Sequence, residues 1–278
     1  MQLVVITGLS GSGKSVALKA LEDATYYTAD NLPASLLPAM VDFLQQAGYR
    51  RIAVSIDARS GDTLGSLPQH LEALRARGID VRVLFLDAKS DTLLRRFSET
   101  RRRHPLSHGD LTVAECILEE RQMLADIGAN SHHVDTSDVD PNTLRAWVRE
   151  FVEFDNPGMT LIFESFGYKH GVPLDADLVF DVRCLPNPFW DPKLRPLTGK
   201  HPDVVEFLSC DERVQRMLAD IRSFLERWLP SYVADNRSYL TVAIGCTGGE
   251  HRSVYFAEAL APCFKGSRRV LIRHRELA

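Results

Sequence analysis

Cysteine is scarce in this sequence, and long apolar segments are absent from it. The five cysteines are widely spread and include no Cys-x-x-Cys pair, which argues against a disulfide framework and against a zinc site. The apolar stretch at residues 1–6 is too short for the core of a signal peptide, and no later stretch reaches the length of a membrane span. We therefore predict a cytoplasmic protein with reduced cysteines and no membrane contact.

The sequence also lacks low-complexity tracts and a large excess of charge of one sign. Its 278 residues are 45% hydrophobic and 25% charged, with a formal net charge of −4, which is typical of a folded globular protein. The length fits two domains of about 120–160 residues each. The basic residues are nevertheless clustered, at residues 95–104 and 265–275.

The first half of the chain alternates short β-rich segments with helical ones. We predict strands at residues 3–7, 26–29, 52–56, 82–86 and 132–135, and helices at residues 15–24, 33–47, 67–77, 91–103, 112–127 and 141–154. Each strand is short and ends at a Gly, Asp or Ser, where the ligand-facing loops of a parallel sheet lie. This order predicts an α/β domain at residues 1–154, in which helices wrap a parallel sheet of the P-loop NTPase or kinase type.

A turn cluster, Asp-Asn-Pro-Gly at residues 155–158, separates this half from a second α/β pattern. There we predict strands at residues 159–164, 178–181, 239–245 and 270–272, and helices at residues 203–210, 212–228 and 253–264. The proline-dense stretch at residues 183–192 suits neither a helix nor a central strand. We expect a second, smaller α/β domain at residues 155–278.

One motif dominates the functional information in the first half. Residues 8–15 read G-L-S-G-S-G-K-S, which matches the P-loop pattern G-x-x-x-x-G-K-[ST] between a predicted strand and a predicted helix. In such a loop, backbone N–H groups and the positive end of the next helix surround phosphate oxygens. Lys14 would bridge the β- and γ-phosphates, and Ser15 would hold Mg²⁺. The predicted nucleotide-binding residues are Gly8, Leu9, Ser10, Gly11, Ser12, Gly13, Lys14 and Ser15.

A P-loop site usually has a second carboxylate near the metal ion, and three aspartates at predicted strand ends are candidates: Asp30, Asp57 and Asp87. Asp87 follows the apolar run Val-Leu-Phe-Leu, as in a Walker B strand, so we favour it as the Mg²⁺ ligand. Asp30 equally suits the N-cap of the following helix. The sequence does not choose among the three.

Arginines are concentrated at residues 95–103, in a run that is similar to the lid of small P-loop kinases. Lid arginines fold over the phosphates and neutralise developing charge, so this run suggests a small-molecule kinase. The alternative is a solvated basic helix face. No motif identifies a general base for an acceptor hydroxyl, so both interpretations stay open.

The second half contains another unit of strand, glycine loop and helix. Its loop reads C-T-G-G-E-H-R-S at residues 246–253, with the C-x5-R spacing by which cysteine phosphatases surround a phosphate. We predict that this loop binds a phosphate group at a helix N-terminus, with Arg252 as the fork and Thr247 and His251 as further donors. Phosphatase chemistry at Cys246 would need a general acid, for which Asp181 is the nearest candidate. That carboxylate could equally hydrogen-bond a sugar hydroxyl.

Six motifs together resemble the RapZ/YvcJ family of bacterial nucleotide-binding proteins. They are G-L-S-G-S-G-K-S-V-A-L at 8–18, D-N-L-P at 30–33, F-E-S-F-G-Y-K-H-G at 163–171, L-P-N-P at 185–188, W-D-P-K-L-R-P-L-T-G at 190–199 and G-C-T-G-G-E-H-R-S at 245–253. The resemblance implies ATP binding at residues 8–15, slow nucleotide hydrolysis rather than a dedicated kinase reaction, and GTP binding at Asp57, Ala58, Arg59 and Ser60. From the residues alone, 57–60 could equally be a strand end capped by a turn.

The same resemblance implies a sensor and adapter role for the second half. The residues that match the family's glucosamine-6-phosphate loop are Cys246, Thr247, Gly248, Gly249, His251 and Arg252. The resemblance also implies binding of small regulatory RNA, presentation of that RNA to RNase E, and a homo-oligomer. The candidate RNA contacts are the basic residues Lys265, Arg268, Arg269, Arg273 and Arg275, each of which would make binding more salt-sensitive. The alternative is a basic strand edge that deters aggregation.

Overall fold

The computed structural model describes residues 1–107, 111–129, 131–152, 159–235, 237, 239–266 and 269–277. The chain divides into two compact units, Met1–Asp155 and Asn156–Ala278. Each unit has a parallel sheet and a hydrophobic core of its own, which confirms the predicted α/β class. The turn cluster from which we predicted the domain boundary lies outside the described residues.

The first unit is built on a five-stranded sheet. Its strands are β1 (Gln2–Gly8), β2 (Tyr27–Ala29), β3 (Arg51–Ser55), β4 (Asp80–Asp87) and β5 (His132–Asp135). Its helices are α1 (Lys14–Asp23), α2 (Leu37–Gln46), α3 (Leu67–Ala76), α4 (Ser90–Thr100), α5 (Val113–Met123), α6 (Ala125–Ala129) and α7 (Pro141–Val152). The strand order is β2-β3-β1-β4-β5, and the described pairs are parallel. Because β1 lies between β3 and β4, the loops that follow these three strands open at one edge of the sheet.

The central strands read as continuous apolar runs because helices cover both faces of the sheet. In β1 every residue after Gln2 is buried, and in β4 every residue after Asp80 is buried. One core cluster joins these strands to α2 and α3. This packing holds the carboxyl ends of β1, β3 and β4 in place, so the loops that follow them start from a rigid base.

The second unit has a four-stranded sheet. Its strands are β6 (Thr160–Gly167), β7 (Leu178–Asp181), β8 (Tyr239–Cys246) and β9 (Arg269–His274), and its helices are α8 (Pro202–Ser209), α9 (Glu212–Ala234) and α10 (Arg252–Phe264). The strand order is β7-β8-β6-β9, and the described pairs are parallel. Gly167 lies opposite Cys246 and Asp181 opposite Gly245, so the ends of β6, β7 and β8 are side by side.

Each predicted strand is present, and the differences from prediction are at helix ends. The helix predicted at 33–47 starts only at Leu37, because Ala34–Leu36 form a tighter 3-10 turn before it. The helix predicted at 91–103 ends at Thr100, because Arg101 has a left-handed backbone with a φ of 51°. The helix predicted at 112–127 is two helices, α5 and α6.

Helix α9 extends past its predicted end at residue 228, to Ala234, although Pro230 lies inside it. Leu225 and Leu229 on its buried face pack into the core of the second unit, and this packing outweighs the local cost of the proline. The exposed face of α9 carries charged side chains together with the hydrophobic residues Phe224, Trp228 and Val233. No helix in the described part of the chain is both long enough and apolar enough to cross a membrane.

Candidate functional site

The P-loop lies between the end of β1 and the start of α1. Gly8 closes β1 with a φ of 125°, and a Cβ atom there would lie 2.0 Å from the carbonyl oxygen of Leu86. Gly13 precedes α1 with a φ of 106°. Both positions need glycine because other residues rarely adopt this backbone conformation. The loop presents the first N–H groups of α1, which have no partner within the helix, at the edge of the sheet.

Lys14 is buried at the start of α1, with its ammonium group folded onto the loop. Nζ donates to the carbonyl oxygens of Gly8 at 2.7 Å and Leu9 at 3.1 Å, and it lies 3.6 Å from Asp57 Oδ2. Burial lowers the pKa of Lys14 below its usual value, and the Asp57 carboxylate opposes that shift. A buried cation beside a helix N-terminus gives this edge of the sheet the character of an anion site.

A cleft of about 600 Å³ opens above the P-loop. Its lining includes Ser10 to Val16, residues that follow β2 and β3, and arginines on and after α4. Outside the P-loop, the polar and charged lining residues include Asp30, Asn31, Asp57, Arg59, Arg96, Arg102 and Arg103. The predicted ATP segment at 8–15 and the predicted GTP segment at 57–60 therefore belong to one cleft, because β1 and β3 are neighbours in the sheet.

Residues 57–60 form a capped turn at the end of β3. Asp57 Oδ1 accepts a hydrogen bond from the backbone N of Arg59 at 3.0 Å, so Asp57 is the N-cap of the 3-10 turn Ala58–Ser66. Arg59 Nη1 donates to Asp57 Oδ2 at 2.6 Å and to Asn31 Oδ1 at 2.5 Å. The interpretation as a capped strand end is thus confirmed. The same cap places the Asp57 carboxylate beside Lys14.

Asp30 is exposed at the edge of the cleft and does not cap a helix. Its Oδ1 accepts from the backbone N of Asn31 at 2.9 Å, whereas Pro33 occupies the N-cap position of the following 3-10 turn. The prediction of Asp30 as an N-cap is therefore wrong. Proline has no side-chain oxygen that could accept a hydrogen bond from a backbone N–H of the turn. This turn therefore begins without a side-chain cap.

Asp87 ends β4 as predicted, but it is engaged with the protein away from the described lining of the cleft. Oδ2 lies 2.5 Å from Arg121 Nη1 and 3.4 Å from His133 Nε2, and Oδ1 accepts from the backbone N of Ala88 at 2.7 Å. Both oxygens thus have partners. The assignment of Asp87 as the Mg²⁺ ligand stays a prediction, and Asp57 is the carboxylate that lies beside Lys14.

Asp87→Asn separates a structural role from a metal-binding role. Burial alone raises the pKa of Asp87, but the adjacent side chains of His133 and Arg121 outweigh it and hold the pKa below its usual value. We expect the variant to lose about 2 kcal/mol of unfolding free energy and to keep ATP affinity within about twofold of wild type. A depressed pKa stabilises the fold above the unfolded-state pKa, so the loss should shrink as pH falls through the folded-state pKa. Urea unfolding at neutral and acidic pH measures this loss of unfolding free energy. If the variant instead bound ATP weakly while its stability was unchanged, Asp87 would be a metal ligand.

The arginine run at 95–103 has two different environments. Arg96 is tied to the P-loop region, because Nη1 donates to the carbonyl oxygen of Gly11 at 3.0 Å and Nη2 to that of Thr136 at 2.6 Å. Arg102 and Arg103 are exposed and line the cleft. Their positions fit the lid interpretation, whereas Arg95 lies exposed on α4 and fits the solvated helix face.

Glu120, which no sequence pattern indicated, is a fully buried carboxylate of α5 that contacts the P-loop. Oε2 accepts from the backbone N of Ser10 and Oε1 from Ser10 Oγ, both at 2.8 Å. His104 Nε2 lies 3.1 Å from Oε2. Burial raises the pKa of Glu120, but the hydrogen bond from His104 and the charge of Lys14 outweigh burial, so the pKa is below its usual value. Glu120 is 110 residues from Ser10 in sequence, and no local pattern could reveal the contact.

The second unit brings its predicted ligand residues together at the carboxyl ends of β6, β7 and β8. Cys246 ends β8, the glycine loop follows, and α10 begins at Arg252. Gly249 has a φ of 82°, and a Cβ atom there would lie 2.2 Å from Glu276 Oε2, so this loop position needs glycine. The parallel register places Asp181 beside the same loop.

Arg252 is buried, and part of its guanidinium is already used by the protein. Nη1 donates to the carbonyl oxygens of Arg183 at 2.8 Å and Leu185 at 2.9 Å, and Nη2 lies 3.4 Å from Thr247 Oγ1. Its buried Nε has no hydrogen-bond partner among the residues the structure describes. The predicted fork is therefore only partly available to a ligand. It also holds the 183–185 segment against the loop.

His251 points away from the loop it belongs to. Its Nε2 lies 3.3 Å from the carbonyl oxygen of Leu194 and 3.2 Å from that of Arg195. A carbonyl can only accept, so Nε2 carries the proton and donates it to this segment. Nε2 of His251 thus makes an anchoring contact, and the phosphate contact of His251 stays a prediction.

Phosphatase chemistry at Cys246 would lack a general acid at Asp181. The buried Sγ accepts from the backbone N of Gly249 at 3.2 Å and lies 3.2 Å from Ser253 Oγ, contacts that would stabilise a thiolate. Asp181 is bound by Arg183 Nε at 3.0 Å and Nη2 at 2.6 Å, and these bonds hold the pKa of Asp181 below its usual value. A carboxylate that stays ionised at neutral pH cannot act as the general acid.

Two cations next to the glycine loop were not predicted. The Arg183 guanidinium lies 3.9 Å from the ring centroid of Tyr168, and its side chain is half exposed. The backbone N of Lys169 donates to the carbonyl oxygen of Thr247 at 3.2 Å, and Lys169 Nζ lies 3.6 Å from Glu250 Oε1. Neither cation belongs to a phosphate-binding pattern in the sequence. Strand order alone brings them to the loop.

The basic residues near the end of the chain are mostly buried. Arg269 and Arg273 on β9 are 9% and 1% exposed, and the Arg275 side chain is 4% exposed, with Nη1 at 3.8 Å from Glu164 Oε1. Side chains of a strand alternate, so Arg269 and Arg273 share the buried face of β9, although β9 is an edge strand. Their burial is at odds with direct RNA contact. Lys265 is exposed, and the predicted contact Arg268 lies outside the described residues.

No three His, Cys, Asp or Glu side chains in the described part of the chain are grouped closely enough to hold a metal ion by themselves. Nucleotide-bound Mg²⁺ takes most of its ligands from phosphate oxygens and water, with only one or two from the protein. The Ser15 hydroxyl and the Asp57 carboxylate, which both line the cleft, are suitable oxygen donors for such an ion.

Comparison with known proteins matches both units. Residues 1–156 match the RapZ-like N-terminal domain and residues 159–278 match the RapZ C-terminal domain. A "nucleotide-binding protein" of Chromobacterium violaceum is 58% identical over 277 residues, covering 100% of this chain and 99% of that protein. One of Thiobacillus denitrificans is 56% identical and covers both chains fully. The structure of a sugar kinase from a Janibacter species covers 55% of this chain and 95% of its own length, with 17% identity and a TM-score of 0.36. This similarity is too low to support the fold assignment, which depends on the strand order.

Proposed function

The chain belongs to the RapZ family, and we propose that it is a regulatory nucleotide-binding protein whose second unit binds a phosphorylated amino sugar. The first unit binds ATP or GTP with Mg²⁺ and hydrolyses it slowly. The observation that supports this most directly is the position of Lys14, buried between the P-loop carbonyls and Asp57 in one cleft. Relatives that match over their full length are named nucleotide-binding proteins.

Different residues of the cleft would bind different parts of the nucleotide. The N–H groups at the start of α1 hold phosphate oxygens, and Lys14 turns from the carbonyls of Gly8 and Leu9 to the phosphates. Ser15 and Asp57 would hold Mg²⁺, which neutralises phosphate charge when bound. Arg102 and Arg103 approach from the lid side. Asp57 Oδ2 already accepts a hydrogen bond from Arg59 Nη1, so this oxygen is not free to take a proton from an attacking water, which fits slow hydrolysis.

The cleft above the P-loop would hold one nucleotide at a time. Asp57 of the predicted GTP segment lies 3.6 Å from Lys14 of the predicted ATP segment, which supports a single shared site. We expect GTP to compete with ATP, so that the apparent dissociation constant for ATP rises in proportion to added GTP. Calorimetric titration of the full-length chain with ATP and Mg²⁺, repeated at several GTP concentrations, measures this. Independent binding of both nucleotides to one chain would contradict the proposal.

The glycine loop of the second unit suits a phosphorylated amino sugar such as glucosamine-6-phosphate. Its N–H groups precede α10, and the cations Lys169 and Arg183 are close by, which favours a phosphate. The carboxylates of Asp181 and Glu250, which pair with those cations, are suited to accept from sugar hydroxyls or an ammonium group. Thus both ends of such a ligand find complementary groups within one loop cluster.

We extend the proposal to small regulatory RNA, to RNase E and to a homo-oligomer on the basis of the family alone. Of the predicted RNA contacts that the structure describes, Lys265 has an exposed side chain, whereas Arg269 and Arg273 are buried. An RNA surface on this unit would therefore have to include basic residues other than those of β9.

A further inference from the structure

One buried carboxylate links two parts of the nucleotide cleft. Glu120 accepts two hydrogen bonds from Ser10 of the P-loop, from its backbone N and its hydroxyl. Its Oε2 also lies 3.1 Å from Nε2 of His104. His104 belongs to residues 101–107, the segment after α4 that we call the lid segment. Glu120 therefore joins the P-loop to the lid segment inside the first unit.

The lid segment is exposed except near this contact. Arg101, Arg102 and Arg103 are exposed, whereas His104 is 3% exposed and its side chain is fully buried. The left-handed backbone of Arg101 ends α4 and turns the chain toward the P-loop, and Arg102 and Arg103 line the cleft. Three adjacent arginines repel one another, so the segment needs an anchor to stay over the loop.

The hydrogen bonds of His104 show which group is the donor in its contact with Glu120. Its Nδ1 accepts from the backbone N of Leu106 at 3.2 Å, so Nδ1 is unprotonated and Nε2 bears the proton. Nε2 therefore donates to Glu120, whose pKa is held below its usual value by this bond and by Lys14, against the effect of burial. The anchor is thus a charge-assisted hydrogen bond to a buried, ionised carboxylate.

We propose that Glu120 and His104 are positioning residues that hold the lid arginines over the terminal phosphates of the bound nucleotide. The inference depends on the nucleotide site proposed above and specifies how that site discriminates among nucleotides. A lid that is ordered before binding loses less conformational entropy on binding, so the anchor strengthens contacts made by Arg102 and Arg103. Those contacts are to the outer phosphates, because the lid faces the P-loop. ATP should therefore gain more from the anchor than ADP.

A contact with only a structural role would have a different effect on nucleotide affinity and on stability. A buried ion-containing contact is rarely a better stabiliser than an apolar one of the same size, so stability by itself does not explain a charge at this position. A purely structural contact would affect ATP and ADP equally and would lower the melting temperature. A positioning contact changes the ratio of the two affinities.

The test uses the full-length chain with four variants. His104→Ala and Glu120→Gln break the anchor, and His104→Gln keeps a donor near the position of Nε2. Glu119→Gln is the matched control, since it removes the same charge from an adjacent, exposed position of the same helix. Calorimetry with Mg²⁺ gives the dissociation constants for ATP and ADP. Limited trypsin digestion without nucleotide gives the cleavage rate after residues 101–103.

We expect His104→Ala and Glu120→Gln to raise the ATP dissociation constant about tenfold and the ADP constant by less than about threefold. Trypsin cleavage in the lid segment should accelerate about tenfold, with cleavage elsewhere unchanged. His104→Gln should recover part of the ATP affinity, and Glu119→Gln should match wild type.

Three results would overturn the inference. Unchanged ATP affinity and unchanged lid cleavage in both disrupting variants would remove the positioning role while leaving the nucleotide site intact. Equal weakening of ATP and ADP with a lower melting temperature would show a structural contact only. If the wild-type chain itself bound neither nucleotide, the proposed nucleotide site would fail first, and that outcome is distinct from the other two.

Discussion

Replacing Lys14 by alanine should raise the dissociation constant for ATP about a hundredfold, because it removes charge-assisted hydrogen bonds worth about 3 kcal/mol in total. In the structure, Nζ is bonded to two neutral carbonyl oxygens and lies 3.6 Å from one carboxylate oxygen. Phosphate oxygens are stronger, anionic acceptors, so the ammonium group gains energy when it moves to the nucleotide. No other cation lies on the loop itself.

The fold of the first unit should tolerate this change. Asp57 keeps its hydrogen bonds from the backbone N and from Nη1 of Arg59, so no buried carboxylate is left without a partner. Calorimetry with ATP and Mg²⁺ measures the affinity, and thermal unfolding checks the fold. The matched control is Lys19→Ala, an exposed lysine of the same helix. Equal ATP affinities in Lys14→Ala and Lys19→Ala would show that the nucleotide binds elsewhere.

Replacing Arg252 by alanine should abolish binding of glucosamine-6-phosphate and also destabilise the second unit by about 2–3 kcal/mol. The guanidinium spans the carbonyls of Arg183 and Leu185 and approaches Thr247 Oγ1, so it connects the loop after β7 to the glycine loop. Without it, two buried acceptors lose their donor and Arg183 is no longer held beside the ligand loop. Arg252→Lys should not restore binding, because a single ammonium group lacks the fork.

Binding and folding effects can be separated for this residue. Calorimetry with glucosamine-6-phosphate is done at a temperature at which circular dichroism shows the variant folded. Arg216→Ala is the control, since Arg216 is exposed on α9 in the same unit. Retained affinity in a folded Arg252→Ala chain would exclude the glycine loop as the sugar-phosphate site, whatever the change in stability.

The predictions that the structure confirms concern short stretches of sequence. The P-loop and its flanking strand and helix lie within residues 2–23, and the glycine loop with β8 and α10 lies within residues 239–264. In both, the residues that shape the loop are neighbours in sequence, since a positive φ requires glycine and a helix start supplies free N–H groups. Hydrophobic patterning likewise predicted the central strands β1, β4, β6 and β8, because a strand buried on both faces must be apolar.

Contacts between residues far apart in sequence are what local patterns could not reveal. Asp87 has the expected position after an apolar strand, but Arg121 and His133 come from α5 and β5 and take up its carboxylate. In the sequence, the arginines of β9 look like part of a basic tail. They are four residues apart on a strand, so both side chains lie on the same face, which is buried in the unit. Nothing in the local sequence encodes which face of an edge strand is covered.

The sequence by itself determined that this protein has two α/β units, a P-loop at residues 8–15 and a glycine loop at residues 246–252, because backbone conformation and helix starts are local properties. Only the tertiary structure decided that Asp57 rather than Asp87 lies beside Lys14, that the predicted ATP and GTP segments share one cleft, and that Glu120 connects the P-loop to His104. Each of these contacts depends on the order of strands in the sheet and on the helices packed against it. Strand order arises from the packing of the whole unit, and so it cannot be inferred from any one segment.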